Sequence, residues 1–201
     1  MTKVASPRGV VRERVLAAAL ELFAENGISG TSLQMIADRV GVAKASVYYQ
    51  FHTKEDIVLA LMRPVFDDIA RLVKIAEAVD SAGARRDVAI SGLVELAVRN
   101  RDLTTVFFGD PAVDGLVRSR EEFAAAVDGL NTLLLGASPD DQTRVAMSVL
   151  TAGIYGTAIN PHLADLSDDD LHRLLLETMK RLVTALCSGD SSGPAADQGD
   201  Q

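Results

Sequence analysis

Apolar positions recur every three or four residues along nearly the whole chain, and the alternation of apolar and polar residues that marks strands is lacking. That period belongs to helices burying one face, so an all-α protein is expected. A first helix is predicted from about Val10 to Asn26, with Val11, Val15, Ala18, Leu22 and Phe23 inward and Gly27 closing it. Leu33, Ile36, Ala37 and Val40 predict a second, with Thr31 and Gln34 spaced as a capping box and Gly41 as the stop. A third short helix is expected over Ala43 to Phe51, where Val47 and Phe51 point inward. Thr53 and Asp56 then cap a long fourth helix running towards Val79, with Pro64 favouring a kink.

Beyond Ser81 the pattern predicts helices over Ala84–Arg99, Leu116–Leu135, Asp140–Asn160 and from Ser167 to near Cys187. The stretch from Asp102 to Gly115, punctuated by Gly109 and Pro111, reads as less regular. Residues 1–9 read as a flexible basic arm, and 188–201, rich in Gly, Ser, Asp and Gln, as a disordered tail. Three parts are expected: a head over 1–53, a larger helical body over 54–187, and the tail over 188–201.

Two short helices joined at a glycine form a helix-turn-helix, whose second helix can enter the major groove of DNA. Ala45 and Ser46 are small enough for close approach to base edges, and Lys44 and Gln50 can reach bases or phosphates. Tyrosine hydroxyls and the start of the fourth helix suit phosphate oxygens. A plain three-helix packing unit with a solvated face is the competing reading. The net charge of −8 looks wrong for a DNA binder until it is divided. Residues 1–54 carry seven basic and four acidic side chains, net +3, and the rest carries 13 and 24, net −11. A basic head on an acidic body is compatible with local attraction to DNA.

Gly30-Thr31, Ile36-Ala37, Gly41-Val42, Tyr48, Phe51 and Lys54-Glu55 fall in the order and spacing of the TetR-type repressors, which the segment from about residue 10 to 60 resembles. Carried over by position, the resemblance implies that Lys44, Ala45, Ser46, Tyr49 and Gln50 face the groove and that Ser32, Tyr48 and Lys54 hold phosphates. Gln34 reaches the groove edge or stays a capping residue. The sequence departs from the family at Ala43, where a capping Ser is common, and at Ala45, where Gly is common. The resemblance also implies a larger domain that binds a ligand and dimerises through the last two long helices.

That domain offers Met62, Phe66, Phe107, Phe108, Met147, Tyr155 and, more remotely, His162 as candidates for a ligand pocket, with ordinary core packing as the alternative for each. A mostly apolar pocket implies a largely apolar effector. The run from Val145 to Ala164 has no charged residue and is long enough to span a bilayer, but its Ser, Thr, Gly, Asn and Pro content favours a helix buried in a core or a dimer interface.

Catalysis is not expected: the chain has no Gly-rich phosphate loop, nucleophile elbow or HExxH. No cofactor or metal is expected either. Asp168, Asp169 and Asp170 open a helix, where acidic residues meet the helix dipole favourably. His52, His162 and His172 lack ligand spacing, and a single cysteine rules out an internal disulfide. No signal peptide is expected, so the cytoplasm is the expected compartment. The function implied is a homodimeric, ligand-responsive repressor of a palindromic operator. An activator, a repressor without ligand response, and a helical small-molecule carrier with an idle head are the alternatives.

Overall fold

The computed structural model describes residues 7–188 and is helical throughout, without strands among the described residues. Residues 1–6 of the expected arm and 189–201 of the expected tail lie outside the described residues; Pro7–Gly9, expected in the arm, open the first helix, and Ser188, expected in the tail, ends the last. Ten α-helices follow one another: α1 Pro7–Gly30, α2 Leu33–Val40, α3 Lys44–Tyr48, α4 Lys54–Glu77, α5 Ala82–Arg99, α6 Arg101–Phe107, α7 Pro111–Arg118, α8 Glu121–Leu135, α9 Asp141–Ala158 and α10 Asp168–Ser188. A short 3₁₀ turn over Pro161–Leu163 separates the last two.

Local chemistry sets the boundaries. Gly27 leaves helical geometry with φ 72° and breaks α1 where a stop was expected, with one further turn before Gly30. Gly41 sits at φ 75° and closes α2, its N–H donating to the Ala37 and Asp38 carbonyls. At the start of α4 the expected capping box is complete: Thr53 Oγ1 accepts from the Asp56 N–H, and Asp56 returns the bond to the Thr53 N–H.

Several expectations need correction. The box predicted at Thr31 and Gln34 does not form. Ser32 caps α2 by accepting from the Met35 N–H, while Gln34 donates to Asp38 on its own helix. Thr31 is buried instead and donates to the Leu22 and Gly27 carbonyls, tying the kinked end of α1 to the turn. Helix α3 is shorter than the pattern suggested, because Tyr49 and Gln50 turn away to let Phe51 into the core. The stretch expected to be irregular holds two helices, α6 and α7. Asp110 caps the second, and Pro111 occupies its first turn, where its missing N–H costs nothing. Helix α8 begins at Glu121 rather than Leu116 as a result. Pro64 sits inside α4, which continues as one helix to Glu77.

Two cores organise the molecule. The head core gathers Val15, Leu22 and Phe23 of α1, Ile36 and Val40 of α2, Val47 of α3, Phe51, and Ile57 and Val58 from the first turns of α4. The body core gathers Phe66 and Ile69 of α4, Leu93 and Val94 of α5, Phe123 and Leu130 of α8, Ile154 of α9 and Leu171 and Leu175 of α10. Helix α4 therefore belongs to both, its first turns locked in the head and the rest packed against α5 and α8. Phe107 of α6 and Val113 of α7 also lie in the head core, far in sequence from the rest of it.

Candidate DNA-contacting face and body cavity

The second helix of the head is held from beneath. Val47 is fully buried and Phe51 nearly so, which pins α3 and the following turn onto α1, α2 and α4. The opposite side of α3 is open: Lys44, Ala45, Ser46, Tyr48 and Tyr49 are exposed and Gln50 is half-buried. Tyr49 is 77% exposed, a strong exception for so large a ring. Lys44 Nζ lies 5.5 Å from the centre of the Tyr48 ring, a cation–π distance that holds the ammonium over the face of α3. Ser32 and Gln34 are exposed on neighbouring α2. The residues singled out in the head are thus all at least partly exposed, Lys54 at the start of α4 being half-buried.

Among the described side chains, the other cations of the head are tied to protein groups. Arg39 of α2 reaches Glu25 at 2.7 Å and Glu21 at 3.1 Å, both on α1. Its hydrogen bond holds the Glu25 carboxyl below the usual carboxylate range and raises Arg39 in turn. Arg14 donates to the Val40 carbonyl at 2.7 Å, satisfying the open end of α2. The Arg12 guanidinium lies 5.1 Å over the Phe51 ring. Lys54 donates to the carbonyls of Ile28 at 2.7 Å and Ser29 at 3.2 Å, clamping the last turn of α1 to the start of α4. Sequence reading assigned Lys54 to phosphate and did not foresee this clamp or the Arg14 tie, since both join residues 26 positions apart.

In the body, residues of α4, α5, α6, α7, α8 and α9 line a cavity of about 370 Å³. Met62, Phe66, Phe107, Phe108 and Tyr155, named as pocket candidates from the sequence, line it. Met147 does not: it lies in an adjoining groove, shared with Arg118 and Ser148, that opens from the cavity at Phe108, Asp114, Asn131 and Thr151. The cavity walls are ordered by aromatic stacking. Phe66 stacks on Phe123 at 4.4 Å between centroids, and Phe108 stacks on Tyr155 at 4.9 Å. Phe107 packs edge-on against Phe23 of α1 at 6.3 Å, so one wall of the cavity is also part of the head core. The polar lining residues Asn100, Thr104, Asp114, Asn131 and Thr151 are not among the sequence candidates, since nothing in the sequence distinguishes a lining threonine from a surface one. His162 is exposed in the 3₁₀ turn, away from the cavity.

A larger depression, about 670 Å³, lies outside on α9 and α10, between Val145, Val149 and Leu182. Val145 and Val149 are 64% and 66% exposed, and Leu174 and Leu182 of α10 are 41% and 45% exposed. The uncharged run is therefore half core, through Met147, Leu150 and Ile154, and half open apolar surface. Among the described residues no helix is long and apolar enough to cross a membrane. At the start of α10 Ser167 accepts from the Asp170 N–H and donates to its carboxylate, while Asp168 pairs with Arg101. No group of three potential metal ligands gathers among the described residues.

A helix-turn-helix head with an exposed second helix, joined through a shared long helix to a helical body with an apolar cavity, defines a class of protein. The sequence family described as "Bacterial regulatory proteins, tetR family" matches residues 15–61. The chain is 38% identical over 56 residues to the HTH-type transcriptional regulator RutR of Escherichia coli K12, an alignment covering 28% of this chain and 26% of RutR. It is 27% identical over 144 residues to the HTH-type transcriptional repressor KstR2 of Rhodococcus jostii RHA1, covering 71% of this chain and 65% of that protein. The chain thus spans about a quarter to two thirds of these relatives. The fold is shared with a crystallised TetR-like transcriptional regulator from Rhodococcus sp. RHA1, with a TM-score of 0.62 at 18% identity over 90% of this chain and 99% of that one. The head is thus of the tetR type over residues 15–61, and the chain as a whole shares its fold with a TetR-like regulator.

Proposed function

We propose that this protein is a homodimeric, ligand-responsive transcriptional repressor that holds a palindromic operator and releases it when an apolar small molecule fills the body cavity. The observation that carries this reading is the two-sided chemistry of α3: Val47 and Phe51 buried beneath, Lys44, Ala45, Ser46 and Tyr49 open above. In this reading Lys44, Ala45, Ser46, Tyr49 and Gln50 face the major groove, Ser32 and Tyr48 meet phosphates, and Gln34 stands at the groove edge. Lys54 reaches phosphate by giving up its carbonyl partners. The apolar stripe of Val145, Val149, Leu174 and Leu182 supports a dimer through α9 and α10, with two copies of α3 about 34 Å apart on one face of DNA.

The cavity supports the ligand response. Met62 and Phe66 on its wall lie one and two turns beyond Ile57 and Val58, which sit in the head core on the same helix. A ligand that pushes α4 or Phe107 therefore moves the head as well. It acts only through its different affinity for the two head spacings, and operator must weaken ligand binding by the same factor. The test is retention of randomised duplex DNA by the purified protein, followed by sequencing. An enriched palindrome with two matching half-sites is expected. No enrichment by a folded protein would overturn the reading in favour of a helical carrier.

A further inference from the structure

We infer that the body cavity is built for an uncharged, ring-bearing molecule carrying an oxygen acceptor, and that the Tyr155 hydroxyl is the donor that recognises it. This rests on the cavity being a ligand site at all, as proposed above. Three observations carry the narrower assignment.

The first is charge. Among the residues lining the cavity no side chain is cationic, and the only carboxylate is Asp114 at its edge. A carboxylate or phosphate drawn inside would lose its water without gaining a partner, and Asp114 would repel it. Arg118 stands in the outer groove rather than in the cavity. The second is shape. The stacked Phe108 and Tyr155 rings present a flat apolar wall, with Phe66 and Phe107 also lining the cavity, and planar rings gain most against such surfaces.

The third is the unpaired hydroxyl. Tyr155 lines the cavity and so keeps part of its surface open, yet burial alone pushes its hydroxyl up to about 12, with no hydrogen bond contributing. It is therefore a neutral O–H across the physiological range, a donor with no protein acceptor among the described residues. A ligand without an oxygen in reach leaves that donor desolvated and unsatisfied. A ketone, ester or ether oxygen pairs with it.

The test uses the full-length protein and three fluorescent probes: prodan, an uncharged naphthyl ketone; phenylnaphthylamine, an uncharged ring compound with no oxygen; and anilinonaphthalene sulfonate, its anionic relative. Prodan should bind best and the sulfonate worst. Tyr155→Phe, which keeps the ring and its stack on Phe108, should weaken prodan about tenfold and shift its bound emission to the blue, while leaving phenylnaphthylamine unchanged. If both uncharged probes bind and Tyr155→Phe alters neither, the donor assignment is wrong while the cavity stands as a ligand site. If the sulfonate binds as well as prodan, the exclusion of anions is wrong. If neither uncharged probe binds the unaltered protein, the ligand site itself falls and this inference with it.

Discussion

The head and the body are built on opposite plans. Both pair charged groups, Arg39 with Glu21 and Glu25 in the head and Arg71 and Arg99 with Asp68 in the body, but the head is small and ties its helix ends down: Arg14 and Lys54 to helix-end carbonyls, Thr31 to the break in α1, Thr53 and Asp56 to each other. The body is larger and leaves interior space unfilled and apolar surface uncovered. A close-packed interior transmits displacement because it cannot absorb it. The head is thus suited to keep α3 in one pose; the body, in the function proposed, changes shape around a guest and joins a second copy. The difference teaches that rigidity and adaptability occupy separate cores bridged by α4 and Phe107.

The sharpest way to break this contrast is at the apolar stripe. Val145→Arg with Val149→Arg should convert dimers to monomers in sedimentation. Operator affinity should fall by about two orders of magnitude or more, since the second half-site loses its tether. Unchanged mass would remove α9 from the interface. Next in size is the head core. Phe51→Ala should cost about 3–5 kcal/mol there and abolish operator binding, while prodan still binds the body. Loss of both together would mean the two cores unfold as one unit.

Lys54 separates structure from recognition. Lys54→Ala should lower the salt dependence of operator binding by about two counterions per dimer, one at each half-site, and weaken all sequences alike. It should also loosen the end of α1, visible as faster amide exchange at Ile28 and Ser29. Faster exchange with an unaltered salt slope would make the lysine a clamp and nothing more.

The smallest effect is acid sensitivity, which both regions share. Glu25 is held low by Arg39 in the head, and Asp170 by Arg173 and then Ser167 in the body. A carboxyl depressed in the folded state contributes stability that is present above its unfolded value and lost as pH falls through its folded one. Glu25→Gln should flatten the acid limb of head melting, and Asp170→Asn that of the body. An acid limb unaltered by either change would show that these exposed pairs add nothing measurable.

The head was largely legible in the sequence because its signals are local. Gly41, the Thr53–Asp56 box and the spacing of Val47 and Phe51 each act within four residues. The misassigned cap shows the limit: Thr31 and Ser32 are both good caps, and what decides between them is that Thr31 falls against Leu22 and is buried. Helix α7 had a readable start in Asp110-Pro111, but a proline near a glycine also marks a loop, and the pattern alone does not choose between the two. The cavity was legible only as a set of candidates. Which aromatic residues meet depends on the angles between α4, α6, α8 and α9, and Met147 misses the cavity because it faces the groove beside it.

Phe107 has a consequence for anyone wishing to retarget this protein. It lines the cavity and also packs on Phe23 inside the head. A library that enlarges the cavity there selects on two properties at once, because each variant that admits a bulkier guest also withdraws support from α1. Such a screen would recover sensors that are silent because their operator grip has failed rather than because the guest does not fit. Diversity placed at Phe108, Thr151 and Tyr155, which touch the cavity without belonging to the head core, separates the two traits.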